Sequence, residues 1–369
     1  MKSFTLLSLL VPAFLHCGYG WPTNRDEALH VDIQDGQTGV LMAIPPRRTD
    51  LGTKRIPDAD HPFIAPGPND QRGPCPAMNT LANHGYISRN GISTFEEVIN
   101  ASGEAFNIDV TMASSMAAVN FLTRGNVFVN KISIGGVSPL VPPLPFELDG
   151  PATQGIAKHG RFEGDASMTR SDVFVGDNRN FNQTLWDGDL EQLTLFGDDG
   201  PDGPATVFNV QTLIALQRHN LEADQALDPE FSIPPRRLSV ALVTPTLFIT
   251  QAVSRTTQLA TKKILSTFLV NQTFPENWYR AATPVLGSPI AAELAAGLSD
   301  WVPGHNDENG VFVADPPPPP PFNISVGCTS YWDQLTNGIP GTLANVTGIF
   351  KQNVDLLAGI MFNSQIVTE

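Results

Sequence analysis

Cysteine is scarce: Cys17, Cys75 and Cys328 are the only three in 369 residues. That is too few for a disulfide-stapled scaffold, which spends several bridges on a small core. Histidine is scarce too, at seven, and no two form a His-x-x-x-His pair, so a zinc hydrolase has no ligand spacing to build on. The chain has no Gly-x-Ser-x-Gly, no Walker loop and no dinucleotide fingerprint after a strand, which removes the usual carriers of esterase, nucleotide-hydrolysing and nicotinamide chemistry. Positive charge is in deficit, with 22 Lys and Arg against 37 Asp and Glu, a net charge of −15 and a pI near 4.8. Such a chain is repelled by nucleic acid and by anionic membranes, and neither is expected as a partner. Beyond the first residues no apolar run reaches the ~20 residues that a bilayer span requires.

The N-terminus has the make-up of a secretory signal: Lys2, an apolar core from Phe4 to Leu15, then Gly18 and Gly20 before Trp21. Residues 1–20 are therefore expected to be a removed signal peptide, and the protein secreted. Sequons at Asn100, Asn182, Asn271, Asn323 and Asn345 fit passage through the secretory pathway and a glycoprotein product. Cleavage would also remove Cys17. Cys75 and Cys328 are then left to pair with each other, or Cys328 is an odd thiol, making the protein a monomer or a Cys328-linked dimer.

No flexible linker divides residues 21–369, which read as one domain. Residues 21–72 form an aperiodic N-terminal arm and residues 316–321 a polyproline II spacer. Helical signals appear from Ser93-Thr94-Phe95-Glu96 through Ala105, then at Val110–Leu122, Ser171–Val175, Asn182–Phe196, Val207–Gln225, Arg237–Val253, Thr256–Val270 and Val346–Phe362. Strand signals are few and short. With 31 Gly and 32 Pro, long ordered loops join the helices, so the fold class is mainly α.

The most informative residue is Cys75, in Gly73-Pro74-Cys75-Pro76-Ala77-Met78-Asn79. Pro76 fixes its own φ and lacks the N–H that a first helical turn cannot use, so a helix opens at Pro76 with Cys75 as its cap. Sulfur there faces unpaired N–H groups and the positive end of the helix dipole, which favour thiolate. A held thiolate is a nucleophile or a soft metal ligand.

The run from Gly73 to Gly91 closely resembles the proximal segment of the fungal haem-thiolate peroxidases, the family of chloroperoxidase and the long unspecific aromatic peroxygenases. The resemblance implies a single-domain helical haem-thiolate fold, haem b as cofactor, and Cys75 as the ligand of its iron. His84, in the same run, then has a structural hydrogen bond. A second segment, Phe162-Glu163-Gly164-Asp165-Ala166-Ser167-Met168-Thr169-Arg170, is similar to the family's Glu-Gly-Asp stretch. By that resemblance Glu163, the Gly164 carbonyl and the Ser167 hydroxyl hold Mg2+ against a haem propionate, and Phe162 stands over the substrate side. All three are hard oxygen donors, as magnesium prefers. The alternatives are loop acids with Ser167 or Thr169 as a cap, and a core phenylalanine. His159 reads as a plain loop histidine, with a place beside Glu163 as the alternative, and His219 as solvated.

The third family element is an arginine followed seven residues later by a glutamate, on one helix face. That glutamate moves the peroxide proton while the arginine stabilises charge. Here the positions are Arg237 and Thr244. A threonine hydroxyl cannot do a carboxylate's proton work. Arg236 is a rival for the arginine, and Glu222, Asp228 or Glu230 for the acid. The resemblance therefore implies a secreted peroxygenase or peroxidase that uses hydrogen peroxide on small hydrophobic organic substrates. Thr244 motivates a second expectation: a haem-binding homologue with weak peroxide activation, or a pathway-specific oxidase of secondary metabolism.

Overall fold

The computed structural model describes residues 39–144, 152–160, 162–251, 259–320, 322 and 326–362. The expected signal peptide, Cys17, Asn323 and the end of the proline run lie outside these residues. Regular structure begins with α1 (Pro76–His84), followed by α2 (Phe95–Phe106) and α3 (Val110–Arg124). α1 opens at Pro76 as its sequence predicts. α2 starts with a capping box, in which Thr94 Oγ1 accepts from Glu97 N and Glu97 Oε2 from Thr94 N, both at 3.2 Å. Two short strands, β1 (Ile92–Ser93) and β2 (Ile132–Ser133), pair antiparallel around this pair of helices.

The second half carries α4 (Gln183–Phe196), a hairpin of β3 (Asp198–Gly200) and β4 (Gly203–Val207), then α5 (Val210–Leu227). Val207 thus ends a strand, and Asn209 caps α5 instead, accepting from Thr212 N at 2.8 Å. β5 (Ser232–Ile233) leads into α6 (Pro235–Gln251), then α7 (Lys262–Leu269) and α8 (Ala291–Gly297). β6 (Gly304–Asn306) and β7 (Phe312–Ala314) complete a three-stranded sheet with β5. α9 (Val326–Asp333) and α10 (Gly348–Phe362) follow.

α3 packs between α2 and α10, α4 against α5, and α6 against α5, α8 and α9. One cluster of buried side chains joins these layers, including Leu81, Phe95, Phe121, Leu216, Phe268 and Leu357. Truncating Phe121, which is 1% exposed, would cost ~3–5 kcal/mol through lost burial and the cavity left behind. Among the described residues no helix is long and apolar enough to cross a membrane.

Two expectations are corrected. Residues 171–175 are a turn and not a helix: the Asp172 carboxylate accepts from Phe174 N at 2.8 Å, and its carbonyl from Val175 N and Gly176 N. An aspartate bonding to its own backbone competes with helix formation. Cys328, in α9, is 1% exposed and disulfide-bonded, so it is not an odd thiol, and Cys75 is free, so the two do not pair with each other.

Candidate active site

Cys75 sits at the mouth of α1 in extended conformation, with φ −89° and ψ 106°. Its approach is fixed by a reciprocal pair of bonds: Gly73 N donates to Asn79 Oδ1 at 3.0 Å, and Asn79 Nδ2 to the Gly73 carbonyl at 2.8 Å. Gly73 lies so close to its neighbour that a Cβ would stand 2.1 Å from the Ile134 carbonyl oxygen. Burial pushes the Cys75 thiol up, opposed by the N–H groups of Met78 and Ala77 and by the Arg170 guanidinium. Those N–H groups face the sulfur without closing a capping hydrogen bond.

Cys75 opens onto two adjoining cavities, of about 160 Å³ and about 60 Å³. Cys75, Phe162, Thr244 and Phe248 line both. The larger is walled by α1, α2, α3 and α6 and is apolar apart from Cys75, Ser102, Asn120 and Thr244. The smaller adds Ser167, Thr169, Gln217 and Arg237. Among the described residues no carboxylate and no histidine lines either cavity.

α6 does place Arg237 and Thr244 on one face, two turns apart, as the spacing predicts. The arginine is committed elsewhere. Nε donates to the Asp165 carbonyl at 3.0 Å, Nη1 to that of Phe162 at 3.0 Å, and Nη2 to those of Gly164 and Asp165 at 2.8 and 2.5 Å. Arg237 thus clamps the 162–165 loop. Gly164 is needed there, since at φ +154° its Cβ would stand 2.9 Å from Arg237 Nε. The rival, Arg236, is tied to Asp333 of α9 at 2.6 Å and to the Gly160 carbonyl at 2.8 Å. Glu222 and Glu230 are exposed, and Asp228 is buried away from both cavities.

Glu163 is 3% exposed, yet neither of its carboxylate oxygens has a hydrogen-bond partner. Its charge leans on His159, 3.3 Å away, and a cation would relieve it further. The three expected magnesium donors are hard oxygens; Ser167 faces the smaller cavity, the Gly164 carbonyl accepts from Arg237 Nη2 at 2.8 Å, and Glu163 lies beside His159. His159 is not a plain loop histidine: Nδ1 lies 3.3 Å from Glu163 and 2.8 Å from Asp172. Burial pulls its pKa down, but Asp172 and Glu163 outweigh this and hold it up at about 10. His84 is buried, bonded through Nδ1 to the His61 carbonyl and through Nε2 to Thr273 Oγ1, the structural role expected, and His219 is exposed.

Arg170, Asp165 and Asp172 escaped the reading of the sequence as site residues. Arg170 is 2% exposed, with Nε and Nη2 unpartnered, near enough to Cys75 for their charges to interact. Burial lowers its pKa to about 10. The available signal was density: four charged residues between Glu163 and Asp172, more than a surface loop needs.

Comparison with known proteins gives a consistent picture. Residues 61–283 match the family described as "Peroxidase, family 2". The "Aromatic peroxygenase" of Coprinellus radians is 38% identical over 192 residues, 52% of this chain and 70% of that protein. The "Aromatic peroxygenase" of Cyclocybe aegerita is 33% identical over 257 residues, 69% of this chain and 66% of that protein. A "Dothistromin biosynthesis peroxidase dotB" of Dothistroma septosporum is 38% identical over 141 residues, 36% of this chain and 32% of that protein. With the family match covering more than half of its length, the chain belongs to peroxidase family 2, the fungal haem-thiolate peroxidases, and is an oxidoreductase acting on peroxide.

Proposed function

We propose that this chain is a secreted, single-domain enzyme that oxygenates or oxidises small hydrophobic organic molecules with hydrogen peroxide, on a haem held by Cys75. The observation that carries this reading is Cys75 itself, a cysteine at a helix N-terminus opening onto an apolar cavity with Thr244 across it. Bound haem supplies an iron at which peroxide is activated, with thiolate ligation favouring O–O cleavage. The chain's own residues do the rest. Burial pushes the Cys75 thiol up, and the N–H groups of Ala77 and Met78 with the Arg170 charge work against it, in favour of the thiolate that an iron would take. The unpartnered N–H groups of Arg170 suit an acidic group such as a propionate. Glu163, the Gly164 carbonyl and Ser167 would hold Mg2+, and Phe162 and Phe248 give the cavity an aromatic wall that admits apolar substrates and excludes water.

The test is Cys75→Ala. The variant should lose the thiolate-type absorption of the reduced, carbon monoxide-treated protein and most of its haem. An unchanged spectrum and haem content would reject Cys75 as the ligand.

The empty position at Thr244 supports a second reading, of a homologue slow toward peroxide or an oxidase dedicated to one pathway. With no carboxylate among the described residues that line either cavity, proton transfer at bound peroxide would fall to water or to the substrate. The two readings part on the rate of reaction with peroxide alone against that with candidate substrates present.

A further inference from the structure

Behind the Glu163 loop, away from both cavities, three aspartates converge. Asp165 comes from the loop itself, Asp172 from the turn that follows Arg170, and Asp228 from the end of α5. They are 0%, 0% and 1% exposed. Each is oriented the same way, with one oxygen held by a backbone N–H: Ser232 N to Asp165 Oδ2 at 3.2 Å, Phe174 N to Asp172 Oδ1 at 2.8 Å, and Glu230 N to Asp228 Oδ1 at 2.8 Å. The other oxygen of each, Asp165 Oδ1, Asp172 Oδ2 and Asp228 Oδ2, has no hydrogen-bond partner. Ligand oxygens from the three lie within 4.8 Å of one another. That is the span two oxygens reach across one calcium ion at ~2.4 Å from each.

A fourth carboxylate, of Asp224, lies near, and the cations that face this group, His159 and Arg237, are shared with Glu163. Asp224 cannot relieve the others, because its Oδ2 already accepts from Ala166 N at 2.5 Å. His159 stands at the rim, with Nδ1 close to Asp172 but out of line for a hydrogen bond, and Nε2 4.0 Å from Asp165.

We infer that Asp165, Asp172 and Asp228 form a second cation site, specific for calcium and sharing no ligand with Glu163, Gly164 and Ser167. Calcium is favoured over magnesium because the site gathers three buried carboxylates, more than the one or two that magnesium takes while it retains its waters. The site ties the loop that carries Phe162 and Glu163 to α5 and to the 171–176 turn, so its ion sets the stability of the wall behind the active site.

The test uses the full chain as purified, with its haem, dialysed free of metal and then titrated with calcium at constant millimolar magnesium. Bound calcium and thermal unfolding are the readouts. One calcium per chain should bind, and at ~100 times its Kd the melting temperature should rise by ~3–5 °C. The shift should persist in Glu163→Gln and vanish in Asp228→Asn. Absence of bound calcium and of a shift in the parent would overturn the site and leave three carboxylates sharing protons. Calcium lost in Glu163→Gln but kept in Asp228→Asn would overturn it too, placing the ion at the Glu163 loop. Stoichiometry in the parent decides the matter even if Asp228→Asn does not fold.

Discussion

Replacing Thr244 by glutamate should make this protein react with hydrogen peroxide ~100 to 10,000 times faster, the range in which a positioned general base contributes. That is a barrier lowered by ~3–5 kcal/mol. Thr244 is the polar α6 residue that lines both cavities, with Phe248 of the same helix, Cys75 and Phe162, and among the described residues no carboxylate competes for the position. A glutamate there enters space of about 160 Å³ and about 60 Å³ walled mainly by apolar side chains, so its pKa should rise from ~4.3 toward neutrality. Arg237, two turns earlier, is bound to three carbonyls and leaves that rise largely unopposed. Only the ionised glutamate can take the first proton, so the variant's rate should climb with pH through the raised pKa while the parent stays flat. The assay is stopped-flow mixing with peroxide, following the haem band, with Thr244→Gln as a control of similar shape and no titratable proton. Equal rates for parent, Thr244→Glu and Thr244→Gln across pH 4 to 8 would refute the reasoning and mean that another group moves the proton.

Glu163→Gln should abolish magnesium-dependent stabilisation of the melting temperature while leaving the metal-free protein no less stable than the parent. The substitution removes the charge of a buried carboxylate that makes no hydrogen bond, and the ion pair it gives up, to His159 at 3.3 Å, is offset by the desolvation it no longer incurs. Asp189→Asn tests the pH dependence of stability. Burial raises the Asp189 pKa well above its ordinary value, against an opposing hydrogen bond from Asn220 at 3.2 Å. An acid with a raised folded-state pKa stabilises fully below the unfolded value and costs stability as pH rises toward the folded one. The asparagine variant should therefore be ~1–3 kcal/mol more stable near neutrality, with the gain disappearing in acid, as melts at pH 4 and pH 7 would show. The added amide also offers a donor to Asn220 Oδ1, which has none. Gly73→Ala drives a methyl to 2.1 Å from the Ile134 carbonyl and should lower haem occupancy and stability by ~1–3 kcal/mol or more, whereas Gly52→Ala, with open space around it, should be silent.

The parts of this site that the sequence discloses are those whose causes are local. Pro76 starts α1 and so defines the setting of Cys75, and the Thr94 and Glu97 capping box starts α2, each within four residues. Helical period alone sets Arg237 and Thr244 on one face. The parts it conceals depend on contacts far along the chain. Arg237 spends its guanidinium on carbonyls of residues 162–165, more than seventy positions earlier, which no periodicity reveals. His159 and Glu163 are four apart, a meaningful spacing in a helix, but they meet across a loop. Val173, Phe174 and Val175 gave residues 171–175 a helical look, yet all three are exposed, because the polar Asp172 is the side chain that turns inward.

The loop from Phe162 to Thr169 divides the protein electrostatically. Phe162, Ala166, Ser167 and Met168 line the cavity side, while Glu163 and Asp165 are absent from both cavity walls and buried toward His159 and Asp172. Arg237 holds the backbone between the two sides through the carbonyls of Phe162, Gly164 and Asp165. Every acid near the site is thus walled off from Cys75 by the main chain. Rotating one of these carboxylates into the cavity would mean breaking the Arg237 clamp and exposing the charges it compensates. On the function proposed above, a proton at peroxide would then travel by water or by substrate unless α6 supplied a carboxylate, and position 244, which lines both cavities, is where one would be introduced.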